Sequence, residues 1–144
     1  MSYNSILEAI KTNSEINPGK LCVGDKKNKA TYGQFWKMIN KGAAYLEKNG
    51  VKKGDVVVLR GAQKVEYLFS IFSIQLLGAI ACPLEKAVKE DRILEIMNFV
   101  ETKYFLDTKK LKDTSAECIS LKEMFKEAMN DETECDVNKY ELPK

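Results

Sequence analysis

VVVLRGAQKVEYLFSIFSIQLLGAIACPL, residues 56–84, decides how this chain folds. Val56 to Leu59 is continuous, β-branched and uncharged, the composition of a strand buried on both faces. Residues 64–77 then place Val65, Leu68, Phe69, Ile71, Phe72, Ile74, Leu76 and Leu77 around most of a helical circumference. A helix apolar nearly all round is buried on several sides. Gly78 ends it. AIAC, 79–82, reads as a second strand, which Pro83 stops because proline offers no N–H to a ladder. Strand, buried helix, strand is a parallel crossover, and 79–82 is expected to lie centrally in the sheet.

The neighbours extend the same alternation. Upstream, residues 3–12 read as a helix with Ile6, Leu7 and Ile10 on one face, and Asn17-Pro18-Gly19 as a turn. LCVGD, 21–25, and Lys29 to Thr31 make a short hairpin. Thr31 with Gln34 three residues on is a capping-box pattern. Phe35, Met38, Ile39, Gly42, Ala43 and Leu46 then line one helix face, and Asn49-Gly50 stops it. Downstream come a helix over 89–101, a strand over 103–107, a polar loop over 108–116, a strand over 118–121 and a helix to about Met129. The expected fold class is α/β: a layered, mostly parallel sheet with helices on both faces, plus a short N-terminal hairpin. Residues 1–130 are read as a single domain. Residues 131–144, DETECDVNKYELPK, are acidic and aperiodic, an expected linker-like tail that stops in the open.

Composition removes several function classes. The chain has 144 residues, a formal net charge of +2 and only two arginines, Arg60 and Arg92. That is no nucleic-acid footprint. With no histidine, the commonest general base and metal ligand are missing. Cys22, Cys82, Cys118 and Cys135 form no CxxC pair, so a zinc site is not expected, and unpaired thiols fit a reducing, cytoplasmic setting. The polar N-terminus gives no signal peptide, and the apolar run over 65–84 is interrupted by Glu66, Ser70, Ser73 and Gln75, so no membrane span is expected.

No catalytic motif stands out. There is no GxGxxG, no GxxxxGK[ST] and no GxSxG. Pro83-Leu84 lies where ligands gather in parallel sheets, but the plainer reading is a strand end. Trp36 and Tyr32 are expected in the core, and the Lys26-Lys27 and Lys52-Lys53 pairs on solvated turns. Cys82 reads as a buried, inert thiol. Glu47 and Lys48, and likewise Glu95 and Glu101, read as solvated surface.

The ordered set ATYGQF (30–35), KNGVKKGDVVVLR (48–60), VEYLFSIFSIQLLGAIACPL (65–84) and ILEIMNFVETKYFLD (93–107) resembles the N-terminal part of the adenylate-forming, AMP-dependent synthetases and ligases, which include the acyl-CoA synthetases. Thr31-Tyr32, Gly50-Val51, Gly54-Asp55, Glu66, Gly78-Ala79 and Pro83-Leu84 carry the match, and Gln63 departs from the family's asparagine. The resemblance implies the N-terminal subdomain of that fold. It also implies a parent enzyme that converts a carboxylate and ATP into an acyl-adenylate and then passes the acyl group to a thiol. ATP, Mg and coenzyme A are implied for that parent and none for this chain. The family's phosphate loop and later motifs have no counterpart here, so no catalytic, cofactor-binding or metal residue is assigned. The expectation is an inactive N-terminal fragment whose partners are the parent's remaining subdomains, with a homo-oligomer formed through surface left bare. The alternative is a stand-alone, non-catalytic binding or assembly module of the same fold.

Overall fold

Strand and helix alternate from Val56 to Asp107, as the apolar runs require, and a further strand then precedes the last helix. The computed structural model describes residues 5–62, 64–109, 111–112, 116–133 and 135–143; Gln63 lies outside them. The order is α1 (Ile6–Ile16), β1 (Leu21–Gly24), β2 (Lys29–Thr31), α2 (Tyr32–Lys48), β3 (Val56–Gly61), α3 (Val65–Leu76), β4 (Ile80–Glu85), α4 (Glu90–Phe99), β5 (Tyr104–Asp107), β6 (Glu117–Ser120) and α5 (Leu121–Met129). β1 and β2 form an antiparallel hairpin, and β4-β3-β5-β6 form a parallel sheet in that order.

Side chains alternate across the sheet and so divide the core in two. Val57, Leu59, Tyr104 and Leu106 face the larger cluster, built with α1, α2, α3 and α5. Val58 and Phe105 face the smaller one, where Ile93 and Met97 of α4 cover them. Helices therefore lie on both faces of the sheet. Val57, Val58 and Leu59 are fully buried because β3 is flanked by strands and covered on both sides.

The helix ends follow local chemistry. Thr31 Oγ1 accepts from the Gln34 N–H, and the Gln34 side chain accepts from the Thr31 N–H, which completes the capping box. α2 ends where Gly50 takes a φ of 96° and Val51 N–H donates to the Leu46 carbonyl. α4 ends with the same turn, but Glu101 holds the positive φ, at 55°. Ser70 and Ser73 of α3 are fully buried. Their hydroxyls donate back to the Tyr67 and Phe69 carbonyls, so small polar side chains line the α2 contact without an unpaired group.

Asp25 joins the hairpin to the sheet layer. Its Oδ1 accepts from the Lys27 and Asn28 N–H groups, and its Oδ2 accepts from Val65 N–H, capping α3 from another element. These bonds, Val65 first, then Asn28 and Lys27, hold the carboxyl below its ordinary range. A depressed folded pKa stabilises the fold above the unfolded value and loses that contribution as pH falls through the folded one. Asp25→Asn should therefore lower the urea midpoint near neutrality. The gap to wild type should close as pH drops below about 4. A gap that is constant from neutral to acid pH would remove Asp25 from the acid limb.

Three expectations are corrected. β4 is an edge strand of the described sheet, not a central one, and Ile80 is 55% exposed. Its lack of charge reflects cover on both faces, where Ala81 meets the larger cluster and Cys82 and Leu84 the smaller. Pro83 does not stop the ladder: β4 continues to Glu85, with Pro83 opposite Leu59. Ile80 N–H donates to the Asp55 carbonyl beside β3, so the backbone N–H groups of Cys82 and Leu84 point toward β3 and the backbone positions of Ala81, Pro83 and Glu85 face the outer edge. The missing N–H of Pro83 falls on the outer edge, where no ladder bond is lost.

The tail is the third correction. Residues 131–143 hold no helix or strand among those described, yet they do not stand in the open. Val137, Tyr140 and Leu142 pack against the larger cluster. Lys139 Nζ lies 3.0 Å from Glu47 Oε1, and the Tyr140 hydroxyl donates to the same oxygen at 3.2 Å. Lys41 Nζ donates to the Asn130 carbonyl where this segment leaves α5. An aperiodic sequence predicts the absence of regular structure but not the absence of packing, since three apolar side chains suffice to lay it along α2.

Candidate functional site

The strand order locates a crevice. From β3 the chain crosses through α3 to β4 on one side. From β5 it moves to β6 on the other side. Adjacent strands whose outgoing loops part in opposite directions leave a gap at their carboxyl ends, and in open α/β sheets ligands bind there. Here the gap lies between Arg60-Gly61 of β3 and Asp107-Thr108 of β5. It opens as a crevice of about 290 Å³, lined among others by Lys64, Glu66, Tyr67, Lys86 and Lys109.

The floor is fixed by a buried ion pair. Arg60 Nε and Nη2 each lie 2.9 Å from Asp107 Oδ2, and the two side chains are 13% and 9% exposed. Arg60 Nη1 donates at 2.6 Å to the Val88 carbonyl, and its guanidinium sits 5.8 Å from the Phe105 ring centre. The other Asp107 oxygen accepts from the Thr108 N–H and hydroxyl. Arginine's planar fork suits this three-way tie, which a lysine ammonium could not span.

The wall is set by Tyr67. Its hydroxyl donates to the Leu84 carbonyl at 3.0 Å, and its ring lies over Gly61, where an added Cβ would meet it at 3.0 Å. Burial, then the nearby Cys82, pushes the Tyr67 phenol up, so it stays a neutral donor. With Arg60 and Asp107 neutralising each other, Lys64, Lys86 and Lys109 face Glu66, an excess of positive charge. The crevice is thus suited to a small anionic group such as a phosphate. Among the residues that line it, no nucleophile is paired with a base.

Most of the residues singled out in the sequence lie elsewhere. Trp36 is buried in the core, with Tyr32 packed against it. Lys26 and Lys27 sit in the hairpin turn, and Lys53 runs beside Gly78 at the opposite end of the strands. Cys82 is partly buried against the smaller cluster, and Pro83 is on the outer edge. Glu66 lines the crevice, and Leu84 touches it through its carbonyl. Among the described residues no group of cysteines and carboxylates gathers to hold a metal ion. No helix there is long and apolar enough to cross a membrane. Sequence reasoning missed Arg60, Lys64, Lys86, Asp107 and Lys109. The available signal was position: each falls at or just after the end of a parallel strand.

Known proteins agree with this architecture. The chain is 30% identical over 105 residues to a nonribosomal peptide synthetase, tcpP, of Claviceps purpurea, covering 72% of this chain and 5% of that one. It is 24% identical over 102 residues to the D-alanine--D-alanyl carrier protein ligase of Bacillus licheniformis, covering 71% of this chain and 20% of the ligase. Its fold matches the NpsA N-terminal subdomain of Klebsiella oxytoca, solved with 3-hydroxybenzoyl-AMSN, with a TM-score of 0.83 at 16% identity. That match covers 98% of this chain and 35% of NpsA's, so the chain spans about a third of its structural relative. The model of the AMP-binding enzyme family matches residues 10–142, and with that span the chain belongs to the AMP-binding enzymes as an N-terminal portion of the adenylate-forming fold.

Proposed function

We propose that this chain is the N-terminal scaffold of an acyl-activating ligase. In the parent reaction a carboxylate oxygen attacks the α-phosphorus of ATP, pyrophosphate leaves, and a thiol then displaces AMP from the acyl-adenylate. The family match over residues 10–142 carries this reading. Activation to an adenylate supplies the leaving group, and the protein's share is positioning and charge stabilisation. ATP and Mg belong to the parent: this sequence has no phosphate loop to cradle a triphosphate, so no step is routed through these residues.

The crevice does fit one part of the reaction. Lys64, Lys86 and Lys109 suit the phosphates of a thiol acceptor, and coenzyme A is the acceptor we propose. At about 290 Å³ it takes a phosphate-bearing end and not the whole molecule. The parent's remaining subdomains are the partners that supply catalysis. In their absence exposed apolar residues such as Ile80 and Phe99 favour a second copy. The setting proposed is the cytoplasm.

The test is ATP–pyrophosphate exchange by the 144-residue chain across a panel of carboxylic acids. No exchange above background is expected. Exchange at enzyme-like rates would place the catalytic groups within this chain and overturn the scaffold reading.

A further inference from the structure

We propose that Arg60 is a positioning residue of the crevice. Through Asp107 and the Val88 carbonyl it fixes the loops that present Lys86 and Lys109 to a bound anion. The inference rests on the crevice reading above, but its geometry is independent of any ligand.

At the gap between β3 and β5 the chain offers no covalent tie, because the two outgoing loops part there. Arg60 spans it. One guanidinium holds the end of β5 through Asp107 and the loop between β4 and α4 through Val88. Asp107 carries the tie onward to Thr108, next to Lys109. Arg60 itself is largely engaged: Nε and Nη2 point to Asp107, Nη1 to Val88, and the guanidinium lies over the Phe105 ring, with 13% of the side chain exposed. The lysines meet the anion and Arg60 sets where they stand. A flexible lysine recognises an anion well only when its backbone is held, since ordering the loop at the moment of binding costs affinity.

Direct contact and positioning make opposite predictions. Coenzyme A is titrated into the 144-residue chain and into Arg60→Gln, Asp107→Asn and the double variant, over a range of salt. Positioning predicts that each single change weakens binding about tenfold and that the double change is no worse. It also predicts that the salt dependence stays at the wild-type slope, because the three lysines remain. Asp107→Asn is nearly isosteric and keeps an accepting oxygen for Arg60, and a urea titration of each variant checks that it is folded. The inference is overturned if Asp107→Asn binds as tightly as wild type or tighter, as expected were Arg60 a direct ligand released by the change. Multiplying effects, or a shallower salt slope in Arg60→Gln, would overturn it too.

If the wild-type chain does not bind coenzyme A, the crevice reading fails. The loops are then judged by hydrogen exchange. Arg60→Gln and Asp107→Asn should each speed exchange at the Thr108 amide and in the loop around Val88 about tenfold. The amide of Val51, at the far end of the strands, should be unchanged. Equal acceleration at both ends means general destabilisation and removes the positioning role.

Discussion

Gly42→Ala lowers the unfolding free energy by about 2 kcal/mol, although alanine is the better helix former. A Cβ at Gly42 would lie 2.1 Å from Ser73 Oγ, 2.6 Å from Phe69 Cε2 and 2.8 Å from Ser73 Cβ. None of these distances is tolerable, and one of the atoms is anchored directly to the α3 backbone. Helix propensity returns about 1 kcal/mol, while overpacking costs 1–3 kcal/mol, sometimes more, so the clash wins. α2 and α3 must move apart, and the packing between their other side chains goes with them. The check is a urea titration of both proteins. Ser73→Gly in the Gly42→Ala background should recover part of the loss, because it removes two of the three colliding atoms. A Gly42→Ala protein as stable as wild type would mean that the helices lie farther apart than described.

Asp107→Ala has a larger effect, about 3 kcal/mol of lost stability. Removing the carboxylate leaves the Arg60 guanidinium, 13% exposed, without its ionic partner and beside the Phe105 ring. The loss comes less from the attraction forfeited than from a charge left dry. Replacing both members with apolar residues of similar volume, Arg60→Met with Asp107→Leu, should therefore restore most of the stability that the single change loses. The same urea experiment decides it. Equal losses in the single and double variants would show that the pair's shape and not its charge matters.

Local rules carried much of the fold into legibility. Thr31 with Gln34, and Gly50 after Asn49, marked both ends of α2 because the capping atoms lie within a few residues of one another. The end of α4 was read late, since Glu101 carries no glycine signal and takes its positive φ under the grip of Asn98 and Met97 carbonyls. Strand order was not legible. An uncharged run such as Ile80 to Leu84 says that a strand is covered, but pairing on one edge or two depends on contacts distant in sequence. The site was hidden for the same reason. Arg60 and Asp107 are 47 residues apart, and only the crossover that brings β5 beside β3 makes them a pair. Asp25 and Val65, 40 residues apart, were equally invisible as a cap.

Pro83 has a consequence beyond this one molecule. An open sheet edge is a template on which another extended chain can add itself, bond by bond, and growth of that kind ends in fibres. The outward row of β4 offers donors at Ala81 and Glu85, with a gap between them where proline has none. An incoming strand finds its ladder broken at the middle rung and a carboxylate at the next. The residue that reads as a stop to the chain's own strand is a stop to its neighbours' instead. It lets this edge stay uncovered without becoming a seed.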